Sequence, residues 1–213
     1  MISRKNLPEA LMRRLYVMTT VILLSTIGVM SLAEDADTNA VHAATFDDDG
    51  HLSRPTNIDE WVFLGSSLGM GYSQENFDSD SPGMFQIVRM EPQAYRAFRK
   101  TGKFVEGTMF SLHFFGSQNE VSINRAGFVM GDLHFMEIHY KDSERFPNGF
   151  NFYTFDNDQS AAEAMPQPNE CVTCHTKDGA YDGVFVQFYP TIHQYLTADI
   201  LARLSELDSG SGH

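Results

Sequence analysis

The sequence predicts an α+β fold, a predominantly antiparallel β-sheet with a few flanking helices. Three observations carry that expectation. The middle of the chain holds long aromatic and β-branched stretches punctuated by Gly, Asn and Asp. Residues 91–102 carry start and stop signals of a single clear helix. No strand–helix–strand alternation of a parallel sheet is visible. A length of 213 residues suits one domain, and 17 Phe point to an aromatic interior.

Taken in order, residues 1–33 read as an export signal. Arg4, Lys5, Arg13 and Arg14 precede the apolar run LYVMTTVILLSTIGVMSLA, which ends in small residues before acidic Glu34. A run of this length also suits an uncleaved anchor. Either way, the folded part is expected outside the cytoplasm, in a periplasmic location. Polar residues 34–53 read as a flexible lead-in, 54–200 as the folded domain, and 201–213 as a tail. PTNIDEW (55–61) predicts a helical turn, with Thr56 and Asp59 as a capping box and Trp61 as an apolar anchor. Residues 65–83, rich in Gly and Ser, predict a long loop.

MFQIVRM (84–90) predicts a strand. In the helix that follows, Pro92 suits the first turn, Arg99 and Lys100 the last, and Gly102 the position just beyond. TMFSLHFF (108–115), GFVMGDLHFMEIHYK (127–141) and GFNFYTF (149–155) predict a meander of strands. SAAEAM (160–165) reads as helical, a short helix opens at residue 170, and DGVFVQFYPTIHQYL closes the domain.

Charge narrows the partners. The chain has a formal net charge of −13; without residues 1–33, 11 cations face 27 anions, a net of −16. Nucleic acid and anionic lipid need Lys/Arg patches, so this charge argues against them as partners. Small neutral ligands and a basic redox protein remain compatible.

Both cysteines of the chain lie in Glu170-Cys171-Val172-Thr173-Cys174-His175. Two thiols three positions apart on a helical turn, followed by His, supply the parts for covalent attachment of one haem c. Cys171 and Cys174 would be the tethers and His175 the axial ligand of the iron, near the C-terminus. A zinc site would need more ligands than one Cys pair. A thioredoxin-like dithiol would sit in a βαβ unit, and MPQPNE precedes the motif instead. Only 38 residues follow His175, none of them Met, so the usual downstream Met ligand of small electron carriers is missing.

In addition, RPTNIDEWVFLG, EPQAYRAFRKTGKFVEGT, FVMGDLHFMEIHYKDSERFPNGFNFYTF and ECVTCHTKDGAYDGVFVQFYP occur in the order found in one family. Over roughly residues 54–192 the chain resembles the cytochrome P-460 / cytochrome c′-beta family. The resemblance implies an exported homodimer, mostly antiparallel β, with one haem c and an open iron face. In the P-460 branch a strand lysine is cross-linked to the haem and the enzyme oxidises hydroxylamine. Five residues on from Gly107, that position is Leu112 here, and Phe110, Ser111, His113 and Phe114 offer no lysine either. The c′-beta branch lacks the cross-link and lines the open face with apolar side chains, binding nitric oxide or carbon monoxide.

Alternation places Phe110, Leu112 and Phe114 on one face of their strand, and with Phe85 they form the expected distal pocket. Such a pocket favours a small uncharged diatomic. His113 should point the other way; His134, His139 and His193 are further candidates for a sixth ligand or proton donor. Gln167 and Glu170 lie where some enzymatic relatives place a carboxylate, and Arg145 is a candidate partner of a haem propionate. The expected function is therefore reversible diatomic binding with accompanying electron transfer. Two alternatives stay open: a haem enzyme oxidising hydroxylamine or nitric oxide, and an electron carrier ligated by Met109, Met130 or Met136.

Overall fold

The computed structural model describes residues 44–71 and 81–210. The signal segment 1–33, the first part of the lead-in, residues 72–80 of the expected loop and the last three residues lie outside the described residues. The main sheet is a five-stranded antiparallel meander whose spatial order follows the chain: β2 (Val62–Leu68), β3 (Phe85–Met90), β4 (Met109–Gln118), β5 (Val129–Lys141) and β6 (Phe150–Asp156). Helix α1 (Pro92–Thr101) separates β3 from β4, α2 (Glu170–Asp178) follows the sheet, and α3 (Ala198–Gly210) ends it. A small second sheet pairs β1 (Leu52–Ser53) with β7 (Ala161–Ala162). The mainly antiparallel α+β architecture is the one expected.

Local chemistry explains α1. The Glu91 carboxylate accepts from the Ala94 amide at 2.6 Å, Pro92 fills the first turn, and Gly102 closes the helix at φ 67°. Ala94, Ala97 and Phe98 then form one buried stripe at helical spacing.

Strand alternation divides the sheet into two faces. Met109, Met136, Ile138, Tyr153 and Phe155 point to one side and are covered by Leu52, Ile58, Trp61 and Ala162. On the other side Leu64, Met90 and Phe110 meet Phe98 and Phe104, together with Val184, Val186 and Ile192 from the C-terminal segment. Phe150 and Phe152 receive Val172 of α2 on that same side. The second face therefore carries the CVTCH motif.

Several local expectations are corrected. Residues 65–68 belong to a strand, because Gly65, Ser66, Ser67 and Leu68 pair with Val88, Ile87, Gln86 and Phe85. Ladder pairing overrides the loop propensity of Gly and Ser. SAAEAM is extended: Ala161 and Ala162 pair with Ser53 and Leu52, and Ala164 bridges to Tyr153. So short a segment gains more from this pairing than from a single helical turn. Residues 44–53 are not a loose lead-in, since Phe46 bridges to Leu52, which is fully buried. The turn at Ile58–Glu60 is 3₁₀ and starts from Asn57 with no side-chain cap, so the Thr56–Asp59 capping box is not formed. At the other end, α3 runs past residue 200 and buries Leu204, so the domain continues into the expected tail.

His113 gives the fold a pH dependence. It faces the first side of the sheet, between Ile87 and Met136 in the register, and is 8% exposed. Its Nδ1 has no hydrogen-bond partner, and burial, reinforced by the charges of Arg89 and Arg54, pushes its pKa down to about 4. The unfolded chain therefore takes up a proton near pH 6.5 that the folded chain refuses. Stability from this group is complete above pH 6.5 and is lost as pH falls towards 4, by about 2 kcal/mol. His113→Gln is expected to flatten the urea-midpoint profile between pH 6.5 and 4; an unchanged slope would contradict this assignment.

Candidate functional site

Helix α2 is built to present the motif. Asn169 caps it by accepting from the Val172 amide at 2.8 Å, while its own amide donates to the Pro166 carbonyl at 3.0 Å. Val172 is the buried residue of the helix and packs on Phe150 and Phe152 of β6. That anchoring leaves Cys171, Cys174 and His175 on the side of α2 that lines a cavity of about 410 Å³.

His175 is held from several directions. Its Nδ1–H donates to the Gly183 carbonyl at 2.7 Å, which leaves Nε2 with the lone pair. Rings of Phe152, Phe185 and His139 surround it at centroid distances of 4.7, 4.5 and 5.3 Å. Burial lowers its basicity, opposed by the Gly183 hydrogen bond, so the neutral imidazole is the favoured form. Burial also holds His139 well below its ordinary value, with the neighbouring His175 and Lys141 acting in the same sense.

Both thiols are free, and burial raises the pKa of each. A nucleophilic dithiol needs a depressed pKa, so this environment does not make a reactive redox pair. Among the described residues no group of three His, Cys, Asp or Glu side chains is arranged to hold a metal ion.

The rest of the cavity comes from strands β2 to β5 and from the C-terminal segment. Val88, Leu112 and Phe114 give it an apolar wall; Ser66, Ser67, Gln86 and Glu137 give it a polar one. Met70 contributes from just beyond β2, and Phe185, Phe188 and Tyr189 from the C-terminal segment. That segment lies close because Gly65 has no side chain: a Cβ there would stand 3.0 Å from both the Phe188 carbonyl and Tyr189 Cδ1. Thr191 Oγ1 fastens the approach by donating to the Leu64 carbonyl at 2.6 Å.

The predicted site residues divide accordingly. Cys171, Cys174, His175, Leu112, Phe114 and Glu170 line one cavity. Phe110 shares the strand face of Leu112 but is 5% exposed in the core, packed edge-on against Phe104. Phe85 pairs with Leu68 and Phe115 and alternates away from Gln86 and Val88, so it points to the other face. His113 also faces away. Arg145 lies over the Phe46 ring, 3.9 Å from its centroid, beside Asp142 at 3.5 Å. Gln167 borders a separate surface groove with Asn148 and Lys177. His193 donates to the Val186 carbonyl at 2.9 Å, and His134 lies beside Gly116; neither lines the cavity. Met109 and Met136 pack in the opposite core and Met130 is half exposed, whereas Met70 lines the cavity.

Glu137 was missed. It stands opposite Leu112 on β4 and Thr154 on β6, and burial raises its carboxyl pKa. A carboxylate between Met136 and Ile138 in an otherwise apolar strand was the available signal. Its presence adds a proton acceptor to a pocket expected to be lined with apolar side chains.

A family model described as Cytochrome P-460 matches residues 55–186. The chain belongs to this family. No curated protein matches it. The family implies a haem cofactor, and the cytochrome P-460 fold of this chain fits one. The donor set is two neutral thiols and an imidazole with Nε2 free, all opening into one cavity whose volume lies in the range of cofactor sites.

Proposed function

We propose that the chain carries one covalently bound haem c, tethered by Cys171 and Cys174, with His175 as the axial ligand. The function is reversible binding of nitric oxide or a similar uncharged diatomic, coupled to electron transfer with a basic redox protein. Held by Cys171, Cys174 and His175, haem would supply a redox-active iron able to take a small ligand. The observation that carries the reading is the apolar wall of Val88, Leu112 and Phe114 in the cavity that His175 lines. Leu112 stands where the resemblance puts the cross-linking lysine, which favours ligand binding over hydroxylamine oxidation.

The chain's residues divide the work. Gly183 orients His175 through Nδ1. The apolar wall excludes water and anions, and Glu137 opposes anionic ligands through its own charge once ionised. Stopped-flow mixing of the ferrous protein with carbon monoxide tests the reading: saturable binding supports it, and no binding sinks it. Glu137→Gln is expected to leave carbon monoxide affinity within about threefold while raising azide affinity of the ferric form about tenfold, the size of one nearby charge.

Glu137 also supports a second reading, oxidation of a small protic substrate such as hydroxylamine. A buried carboxyl with a raised pKa is suited to accepting a proton. Steady turnover of hydroxylamine that falls about a hundredfold in Glu137→Gln would favour this reading.

Export and assembly complete the proposal. Cleavage after Ala33 would release the domain to the periplasm, where haem c is attached. A homodimer is proposed on the resemblance alone. N-terminal sequencing and mass photometry of the native protein test the two: a mature chain starting at Glu34 and a mass twice that of the monomer are the expected results.

A further inference from the structure

We propose that the Lys141–Asp182 ion pair is a positioning device for His175, setting how strongly the imidazole donates to the iron. The proposal rests on the reading of His175 as the axial ligand. Tyr181-Asp182-Gly183-Val184 forms a two-residue turn: the Tyr181 amide donates to the Val184 carbonyl at 3.3 Å and the Val184 amide to the Tyr181 carbonyl at 2.8 Å. Both central residues have positive φ, 51° for Asp182 and 70° for Gly183, the signature of a type I′ turn. Asp-Gly suits that turn, so sequence alone accounts for the backbone. It does not account for what the Asp182 side chain does.

The Asp182 carboxylate accepts from Lys141 Nζ at 2.9 Å, and the Lys141 side chain is only 15% exposed. Lys141 ends β5, and its backbone is fixed there: its amide donates to the Thr108 carbonyl at 2.9 Å and its carbonyl accepts from the Gly107 amide at 3.0 Å. The ion pair therefore ties the turn to the rigid end of the sheet. The residue after Asp182 is Gly183, whose carbonyl receives the His175 Nδ1–H. A fixed acceptor at Nδ1 makes the imidazole a better donor through Nε2, as partners of the second ring nitrogen do at other metal-bound histidines. Glu106 is the other carboxylate beside Lys141, at 3.8 Å, and it is already engaged by the Ser143 amide and hydroxyl at 2.9 Å each.

The test uses the full holoprotein and reads the iron–histidine stretching band of the ferrous form together with the ferric/ferrous equilibrium. Asp182→Asn removes the charge and keeps a turn sequence that type I′ favours, so the fold is retained. Lys141→Met keeps the aliphatic stem. Both are expected to lower the band frequency and shift the equilibrium about threefold towards the ferrous form, because a weaker donor stabilises the ferric iron less. The double variant should shift no further than either single one, and Lys141→Arg should restore the wild-type values. A band and an equilibrium unchanged in both single variants, whatever their melting temperatures, overturn the proposal. A high-spin, five-coordinate ferrous wild-type protein that shows no iron–histidine band overturns the axial assignment, and this proposal with it.

Discussion

Gly183→Ala is expected to destabilise the domain by about 3 kcal/mol. Gly183 has φ 70°, where an L side chain is strained by about 1 kcal/mol. A Cβ there would also lie within the van der Waals envelope of the Phe150 ring, which is 5% exposed and packed against His139 and Phe152. Forcing a methyl group into such packing adds about 2 kcal/mol. For a domain of this size the melting temperature should fall by about 9 °C. Gly50→Ala separates the two causes, because Gly50 has φ 84° and nothing within 4 Å of an added Cβ. It should cost the strain alone, about 1 kcal/mol. Equal losses in the two variants, measured by thermal denaturation, would remove Phe150 from the account.

The second large effect is expected from Cys171→Ser with Cys174→Ser. Both thiols sit on one side of α2 and open into the same cavity, while Val172 between them anchors the helix. The double variant keeps the helix, because the Asn169 cap and Val172 are untouched. It should lose the covalent link entirely, so that acidified organic solvent extracts all of the haem. Either single variant should retain haem through one bond. Wild-type protein whose haem is extracted just as readily would show that the thiols are not the tethers.

The sheet was legible because its central strands run through long aromatic stretches, and period-two alternation assigns each residue to one of the two buried faces. The motif was legible because two cysteines and a histidine at fixed spacing have few chemical uses. The boundaries of β2 and β7 were not, since Gly65, Ser66 and the alanines of SAAEAM become extended only through partners distant in sequence. The cavity was half legible. Leu112 and Phe114 followed from alternation, but Phe110 shares their face and still misses the cavity, because Phe104 packs over it. Position along a strand, set by tertiary packing, decides that. Glu137 required knowing that β5 pairs with β4 at Leu112↔Glu137, a register that single-strand periodicity does not supply. The Lys141–Asp182 contact joins positions 41 apart and is equally invisible from local pattern.

On the proposed function, Glu137 would also change how selectivity arises. With an apolar wall alone, neutral ligands would be preferred only because the cavity is dry. A carboxyl in the same cavity adds a charge-dependent bias against anions, which strengthens as pH rises through its raised pKa. Azide affinity of the wild-type ferric protein should therefore fall as pH rises through that range, while carbon monoxide affinity of the ferrous protein stays flat.

We propose one haem c bound through CVTCH, with His175 on one side of the iron and no protein ligand on the other. The optical spectrum of the purified ferrous holoprotein tests it most directly. A high-spin, five-coordinate spectrum that converts to a six-coordinate form on adding carbon monoxide is the expected result. A low-spin six-coordinate spectrum before any ligand is added would contradict the claim, and so would a strongly red-shifted Soret band of the cross-linked kind.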